Sequence, residues 1–117
     1  MLRRAAGLSL LLVAQILDAQ DAHPVFRVGS ATATRGTAAM GTLDVPAAAD
    51  SGLHIPVAVI HGVRPGPIVA FVAGSHGTEY TSIVALQRLI ARIDPRKVSG
   101  TVIIAPLLNI ASFEAMT

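Results

Sequence analysis

Two short apolar runs with one amphipathic stretch between them constrain this chain more than any other feature. Ile68-Val69-Ala70-Phe71-Val72-Ala73 and Thr101-Val102-Ile103-Ile104-Ala105-Pro106-Leu107-Leu108 are each nearly continuous in apolar residues. Both are short for helices, and a run without polar alternation predicts a strand buried on both faces, as in a helix-covered sheet. Between them, Ile83, Leu86, Ile90 and Ile93 recur at helical spacing, Leu89 widens the stripe, and Gln87, Arg88 and Arg92 occupy the other side. That spacing predicts an amphipathic helix from about Glu79 to Ile93. Asp94-Pro95 stops it, because the residue before a proline is driven out of helical backbone, and Gly100 ends the connection. A strand, a helix and a strand joined by a crossover of this length make a βαβ unit with parallel strands.

The residues upstream read as shorter strands. Val25 to Val28 and Met40 to Val45 fit strands, with Arg35-Gly36 turning the chain between them. Pro46 to Gly52 is a loop, and Leu53 to Ile60 is the next strand. Pro56 inside that strand predicts an edge position or a bulge, since proline has no N–H for the ladder. Gly62-Val63-Arg64-Pro65-Gly66-Pro67 is turn punctuation. Beyond the second apolar run, Asn109 opens a loop, and Ala111 to Met116 can begin another helix. The fold class expected is α/β.

Composition removes several functions. The chain of 117 residues has no cysteine, which excludes disulfides, thiolate metal sites and cysteine nucleophiles. Nine basic and seven acidic side chains are nearly balanced. The bases are scattered, and one Tyr and three Phe offer little stacking surface, so nucleic acid is not an expected partner. A hydrophobic content of 52% with 14% charged residues argues for a packed core rather than a disordered tail.

The first residues have the layout of a secretory signal peptide. Arg3-Arg4 is followed by an uncharged stretch, Ala5 to Leu17, and then by small and polar residues up to Ala22. The apolar stretch is short of the roughly 20 residues that span a bilayer, so no stable membrane span is expected. Residues 1–22 are therefore expected to be a leader and residues 23–117 the exported part, periplasmic or secreted; without the leader, the chain would be cytoplasmic. Cleavage could follow Ala19 or Ala22. Leu17 and Gln20, three residues before the two bonds, are both imperfect, and the sequence does not choose.

The chemistry-bearing segment is Gly74-Ser75-His76-Gly77-Thr78-Glu79. It falls just past the C-terminal end of a predicted strand, the rim where ligands gather in open α/β sheets. His76 and Glu79 supply an imidazole and a carboxylate, donors that zinc accepts. If the helix includes both, three-residue spacing puts them on one face. A plain helix start, with Ser75 or Thr78 as cap and Glu79 favoured by the helix dipole, explains the same residues. Two ligands do not complete a catalytic zinc site, which uses three protein ligands and a water.

Several motifs in order extend this segment. They are Ile55-Pro56-Val57-Ala58-Val59-Ile60-His61-Gly62, Arg64-Pro65-Gly66-Pro67, Ala73-Gly74-Ser75-His76-Gly77-Thr78-Glu79, Ala85-Leu86-Gln87-Arg88-Leu89, and Ser99-Gly100-Thr101-Val102-Ile103-Ile104-Ala105-Pro106 followed by Asn109 and Ala111-Ser112-Phe113-Glu114. From about Gly36 to Met116 the chain resembles the opening of the succinylglutamate desuccinylase/aspartoacylase family, within the zinc carboxypeptidase-like superfamily. The resemblance implies a mixed sheet with flanking helices, of which only the N-terminal part is present. It implies one Zn2+ held by His76 and Glu79, with a third ligand in an Asp-x-His-like stretch, an Asn/Arg substrate segment and a general-base glutamate all expected beyond residue 117. The family usually carries Asp or Asn where this chain has Thr78, which bears on substrate choice rather than on the metal.

The activity implied is hydrolysis of an amide, or an ester, in an N-acyl amino acid or similar small substrate. Zinc would polarise the scissile carbonyl, and the separate glutamate would move a proton to the leaving amine. Glu79, as a ligand, is not that base. This chain by itself is expected to be inactive. A carboxypeptidase acting on peptide C-termini and a non-catalytic exported domain are the alternatives. Among the other polar residues, His23 and His54 are expected at the surface, His61 as a satisfied structural histidine near the rim, Asn109 in a turn or cap, Tyr80 in packing, Arg64 as a solvated loop charge and Glu114 on a surface helix.

Overall fold

The computed structural model describes residues 21–49 and 51–117. The apolar part of the expected leader lies outside these residues. The chain runs through β1 (Val25–Val28), β2 (Ala31–Thr34), β3 (Thr37–Val45), β4 (Leu53–His61), β5 (Arg64–Val72), α1 (Tyr80–Arg92), a 3-10 turn (Pro95–Lys97), β6 (Ser99–Ala105) and α2 (Ile110–Ala115). Strands β3, β4, β6 and β5 form one sheet in that order, and β1 with β2 forms a separate hairpin. β4 pairs antiparallel with β3 and β6, while β5 pairs parallel with β6. The sheet is mixed, and β5–α1–β6 is the βαβ unit that the apolar runs predict.

β4 lies at the centre, and its alternation builds two core layers. Val57 and Val59 point to one face, where they pack with Ala31 and Ala33 of the hairpin, with Phe26, Val28 and Ile103 around them. Ala58 and Ile60 point to the other face and meet Ile104 of β6 beneath Leu86, Leu89 and Ile90 of α1 and Ile93 just past its end. The predicted helical stripe thus covers the sheet, with Ile83 buried at its start. Each fully buried Ile or Val contributes about 1.5–3 kcal/mol of transfer free energy, so this sandwich of hairpin, sheet and helix holds most of the hydrophobic stabilisation.

Some expectations need correction. β5 is not buried on both faces: it is the outer strand of the sheet, and Ile68, Val69, Phe71 and Val72 are 41–55% exposed. Its apolar run reports strand character, but among the described residues no second strand pairs with it; only the isolated Asp21 bridge reaches it, at Gly66. The edge position expected of Pro56 holds locally, although β4 as a whole lies between β3 and β6. Pro56 is tolerated because β6 pairs with β4 only from Ala58 to His61, so at Pro56, opposite Thr42 of β3, the other side of the strand is open. Finally, β2 was not anticipated, and β5 starts at Arg64 within the expected turn. The irregularity falls where Arg64 and Ile68 leave a break in the register with β6. No helix among the described residues is long and apolar enough to cross a membrane.

Candidate functional site

Strand β5 ends at Val72, and the chain then crosses the C-terminal rim of the sheet before entering α1. Gly74 begins this crossing at φ +68, backbone that a side chain strains, and a Cβ there would come within 2.8 Å of Leu107. The crossing is laced to the loop after β6. Leu108 N–H donates to Ala73 O and Asn109 N–H donates to Gly74 O, both at 2.9 Å. The Asn109 side chain works at two places: Nδ2 donates to Ser75 O at 3.2 Å, and Oδ1 accepts from Ser112 N–H at 3.0 Å to cap α2. Gly77 N–H donates to Ser112 Oγ at 3.0 Å, and a Cβ at Gly77 would meet the Ser112 carbonyl oxygen at 2.1 Å. The rim loop therefore sits directly against α2, with no room for a side chain at Gly77.

His76 and Glu79 stand at the two ends of a tight backbone turn rather than on a shared helix face. Glu79 N–H donates to His76 O at 3.2 Å, closing the four residues His76 to Glu79, and α1 begins only at Tyr80. Glu79 is the N-cap residue, but its side chain makes no capping bond, and neither Ser75 nor Thr78 serves as the cap. Its carbonyl accepts from Ile83 N–H at 3.2 Å and from Ser82 Oγ at 2.9 Å. Both His76 and Glu79 are exposed. Neither side chain enters a hydrogen bond or an ion pair with the described residues, unlike His23, His54 and His61. Tyr80 meets Phe113 edge to face at 5.7 Å between ring centres, joining α1 to α2, which is the packing role expected of it. A shallow depression lined by Thr78, Glu79, Tyr80, Thr81, Ser82 and Ala85 opens beside Glu79.

An imidazole and a carboxylate with unengaged side chains, on a loop fixed by backbone hydrogen bonds, fit two positions of a zinc site in donor type. The fit stops at two. Among the described residues no third His, Cys, Asp or Glu gathers with them. The other histidines are committed elsewhere. His54 Nδ1 lies 2.7 Å from Asp44 Oδ1 at the surface, and that hydrogen bond, with a second from Thr42, holds the Asp44 carboxyl below its ordinary range. Glu114 is exposed on α2, and Arg64 donates to Ser99 Oγ at 3.0 Å.

His61 is fully buried and belongs to a second polar cluster at the opposite end of the sheet. Its Nε2 faces the His23 carbonyl oxygen and its Nδ1 faces Thr101 Oγ1, each at 2.8 Å. Thr101 gives its single hydroxyl proton to Asp21 Oδ2. Asp21 also accepts from His23 N–H at 3.0 Å, and its Oδ2 lies 3.4 Å from His61 Nδ1. Burial pushes the Asp21 carboxyl up, but hydrogen bonds from Thr101 and His23 and the charge of His61 outweigh it and bring the pKa to about 2. Arg35 completes the cluster, donating to Asp21 O at 2.6 Å and to Gly62 O at 3.1 Å. The expected structural role of His61 holds, but its expected place near the rim does not: β4 runs antiparallel to β6, which puts His61 beside Thr101 at the far end of the sheet. The roles of Asp21 and Arg35 were missed: one looked like the polar end of a leader and the other like a turn residue.

Residues 65–117 match the succinylglutamate desuccinylase/aspartoacylase catalytic domain family. An N-alpha-acetyl-L-2,4-diaminobutyric acid deacetylase from Halomonas elongata is 38% identical over 73 residues, which are 59% of this chain and 21% of that protein. A succinylglutamate desuccinylase/aspartoacylase from Rhodobacter sphaeroides superposes with a TM-score of 0.61 and 28% identity, over 68% of this chain and 25% of that one. An aspartoacylase family protein from Mesorhizobium loti gives a TM-score of 0.65 and 26% identity over 85% of this chain and 29% of that one. A product-bound ectoine utilization protein from Ruegeria pomeroyi gives 0.61 and 28% over 81% and 29%. The chain thus spans between 21% and 29% of the length of these relatives. The βαβ unit, the mixed sheet and the ordered motifs on either side of the rim loop make this chain similar, over residues 65–117, to the succinylglutamate desuccinylase/aspartoacylase catalytic domain.

Proposed function

We propose that this chain carries part of the active site of a zinc-dependent hydrolase that cleaves the amide bond of an N-acyl amino acid or a similar small substrate. The observation that carries the reading is the rim loop: His76 and Glu79, exposed and unengaged, lie between β5 and α1 on a loop held to α2 through Asn109 and the Gly77 N–H. The deacetylase from Halomonas elongata supports the substrate class, since it shares 38% identity over the matched stretch. His76 and Glu79 would hold the metal, and the third ligand and the general base come from outside residues 21–117. A bound zinc supplies Lewis-acid polarisation of the substrate carbonyl and a water of lowered pKa. Asn109 keeps the loop carbonyl of Ser75 in place, so the two ligands are presented by backbone already ordered.

The test is release of free amine from N-acetylated amino acids by the zinc-supplemented chain, followed by NMR, beside zinc binding by the same preparation. The expected result is zinc bound through His76 and Glu79 with no turnover. Turnover by this chain that survives His76→Ala would overturn the assignment.

A further inference from the structure

We propose that the leader is removed at the Ala19–Gln20 bond, and that Asp21 is retained as the N-terminal anchor of the folded domain. The two candidate bonds both follow an alanine, and neither has a better residue three positions upstream, so the choice rests on what each cut would take away. A cut after Ala22 removes Asp21. That residue ties four separate segments together. Its N–H donates to Gly66 O of β5 at 2.7 Å, forming an isolated antiparallel bridge. Its carbonyl accepts from Arg35 in the turn between β2 and β3. Its carboxylate accepts from Thr101 of β6 and lies against His61 of β4.

His61 and Thr101 are both 0% exposed, so without Asp21 the Thr101 hydroxyl loses its acceptor and His61 loses its counter-charge where water does not reach. A cut after Ala22 would also place a new ammonium on His23, the residue whose carbonyl accepts from His61 Nε2. Thr101, His61 and an added positive charge would then face a space emptied of its carboxylate. Hydrolysis at Ala19–Gln20 avoids this. Water adds across that peptide bond, leaving a carboxylate on Ala19 and an amino group on Gln20, one residue upstream of the anchor, and every Asp21 contact survives.

The experiment uses the full chain, expressed in a bacterium with a leader peptidase, with the N-terminus of the soluble exported protein read by intact mass and N-terminal sequencing. Gln20 is the expected first residue. Ala19→Leu should accumulate uncleaved precursor, because a bulky residue before the bond blocks cleavage, whereas Ala22→Leu should still begin at Gln20. A mature protein beginning at His23, normal processing of Ala19→Leu, or folded soluble protein that keeps Met1 would each overturn the proposal. Because these readouts need no zinc and no substrate, they stand or fall apart from the hydrolase reading.

Discussion

Replacing Asp21 by Asn removes one charge and leaves the shape nearly unchanged. The Asp21 side chain is shielded from solvent, and both of its oxygens accept: Oδ1 from His23, Oδ2 from Thr101. Asn must turn a donor amide toward one of those donors, whichever way it flips, and one buried pair is lost. The magnitude follows from linkage. A carboxyl held at about 2 rather than its ordinary 3.8 contributes, in the folded state, about 2 kcal/mol above pH 4. Because the folded pKa is the lower one, this stability is fully present above the unfolded pKa. It is lost as pH falls through the folded pKa, so the window is pH 4 down to about 2. Thermal unfolding followed by circular dichroism at several pH values tests this. At pH 7, Asp21→Asn should unfold roughly 8–16 °C lower, taking about 4–8 °C per kcal/mol for a domain of this size. Below pH 2 the two proteins should nearly coincide. Equal stability at pH 7, or a gap that persists undiminished in acid, would refute the reasoning.

Other changes probe the rim and the core. Gly77→Ala places a methyl where the Ser112 carbonyl oxygen stands, so α2 must shift; it should lose about 1–3 kcal/mol in urea unfolding and weaken zinc binding. Asn109→Ala removes the α2 cap and the hold on Ser75, costing about 1 kcal/mol, while Asn109→Asp keeps the cap but not the Ser75 bond. Zinc affinity should fall in both variants, and stability mainly in the first. Ile104→Ala opens a cavity between β6 and α1 and should cost about 2–5 kcal/mol by chemical denaturation.

The sequence carried the βαβ unit because its signals were local and redundant: two apolar runs, the stripe from Ile83 to Ile93, and Asp94-Pro95 as the stop. In the structure Asp94 also caps the following 3-10 turn, accepting from Arg96 N–H at 3.0 Å. Where the sequence misled or fell short, partners distant along the chain decided. Continuous hydrophobicity in β5 cannot say which neighbours cover it, and Pro56 could be placed only once the length of β6 was known. Ala31-Thr32-Ala33-Thr34 alternates too weakly to declare a strand, yet its two alanines sit against Val57 and Val59 and are buried because the hairpin packs closely there. The rim loop was found from residue type and spacing, but the shared helix face was not its geometry; a turn closed by Glu79 N–H is. Asp21 was illegible because its partners, Gly66 and Thr101, lie 45 and 80 residues away, and nothing local marks the contact.

The account depends most on His76 and Glu79 acting as a pair toward one metal ion. Zinc titration of the purified chain, followed by calorimetry and metal content, tests it directly when His76→Ala and Glu79→Gln are compared with His54→Ala. The last variant removes an exposed imidazole that already pairs with Asp44. The account predicts at least a tenfold loss of affinity in each of the first two variants and none in the third, one factor of ten corresponding to about 1.4 kcal/mol. Zinc affinity unchanged by loss of either rim side chain would contradict it.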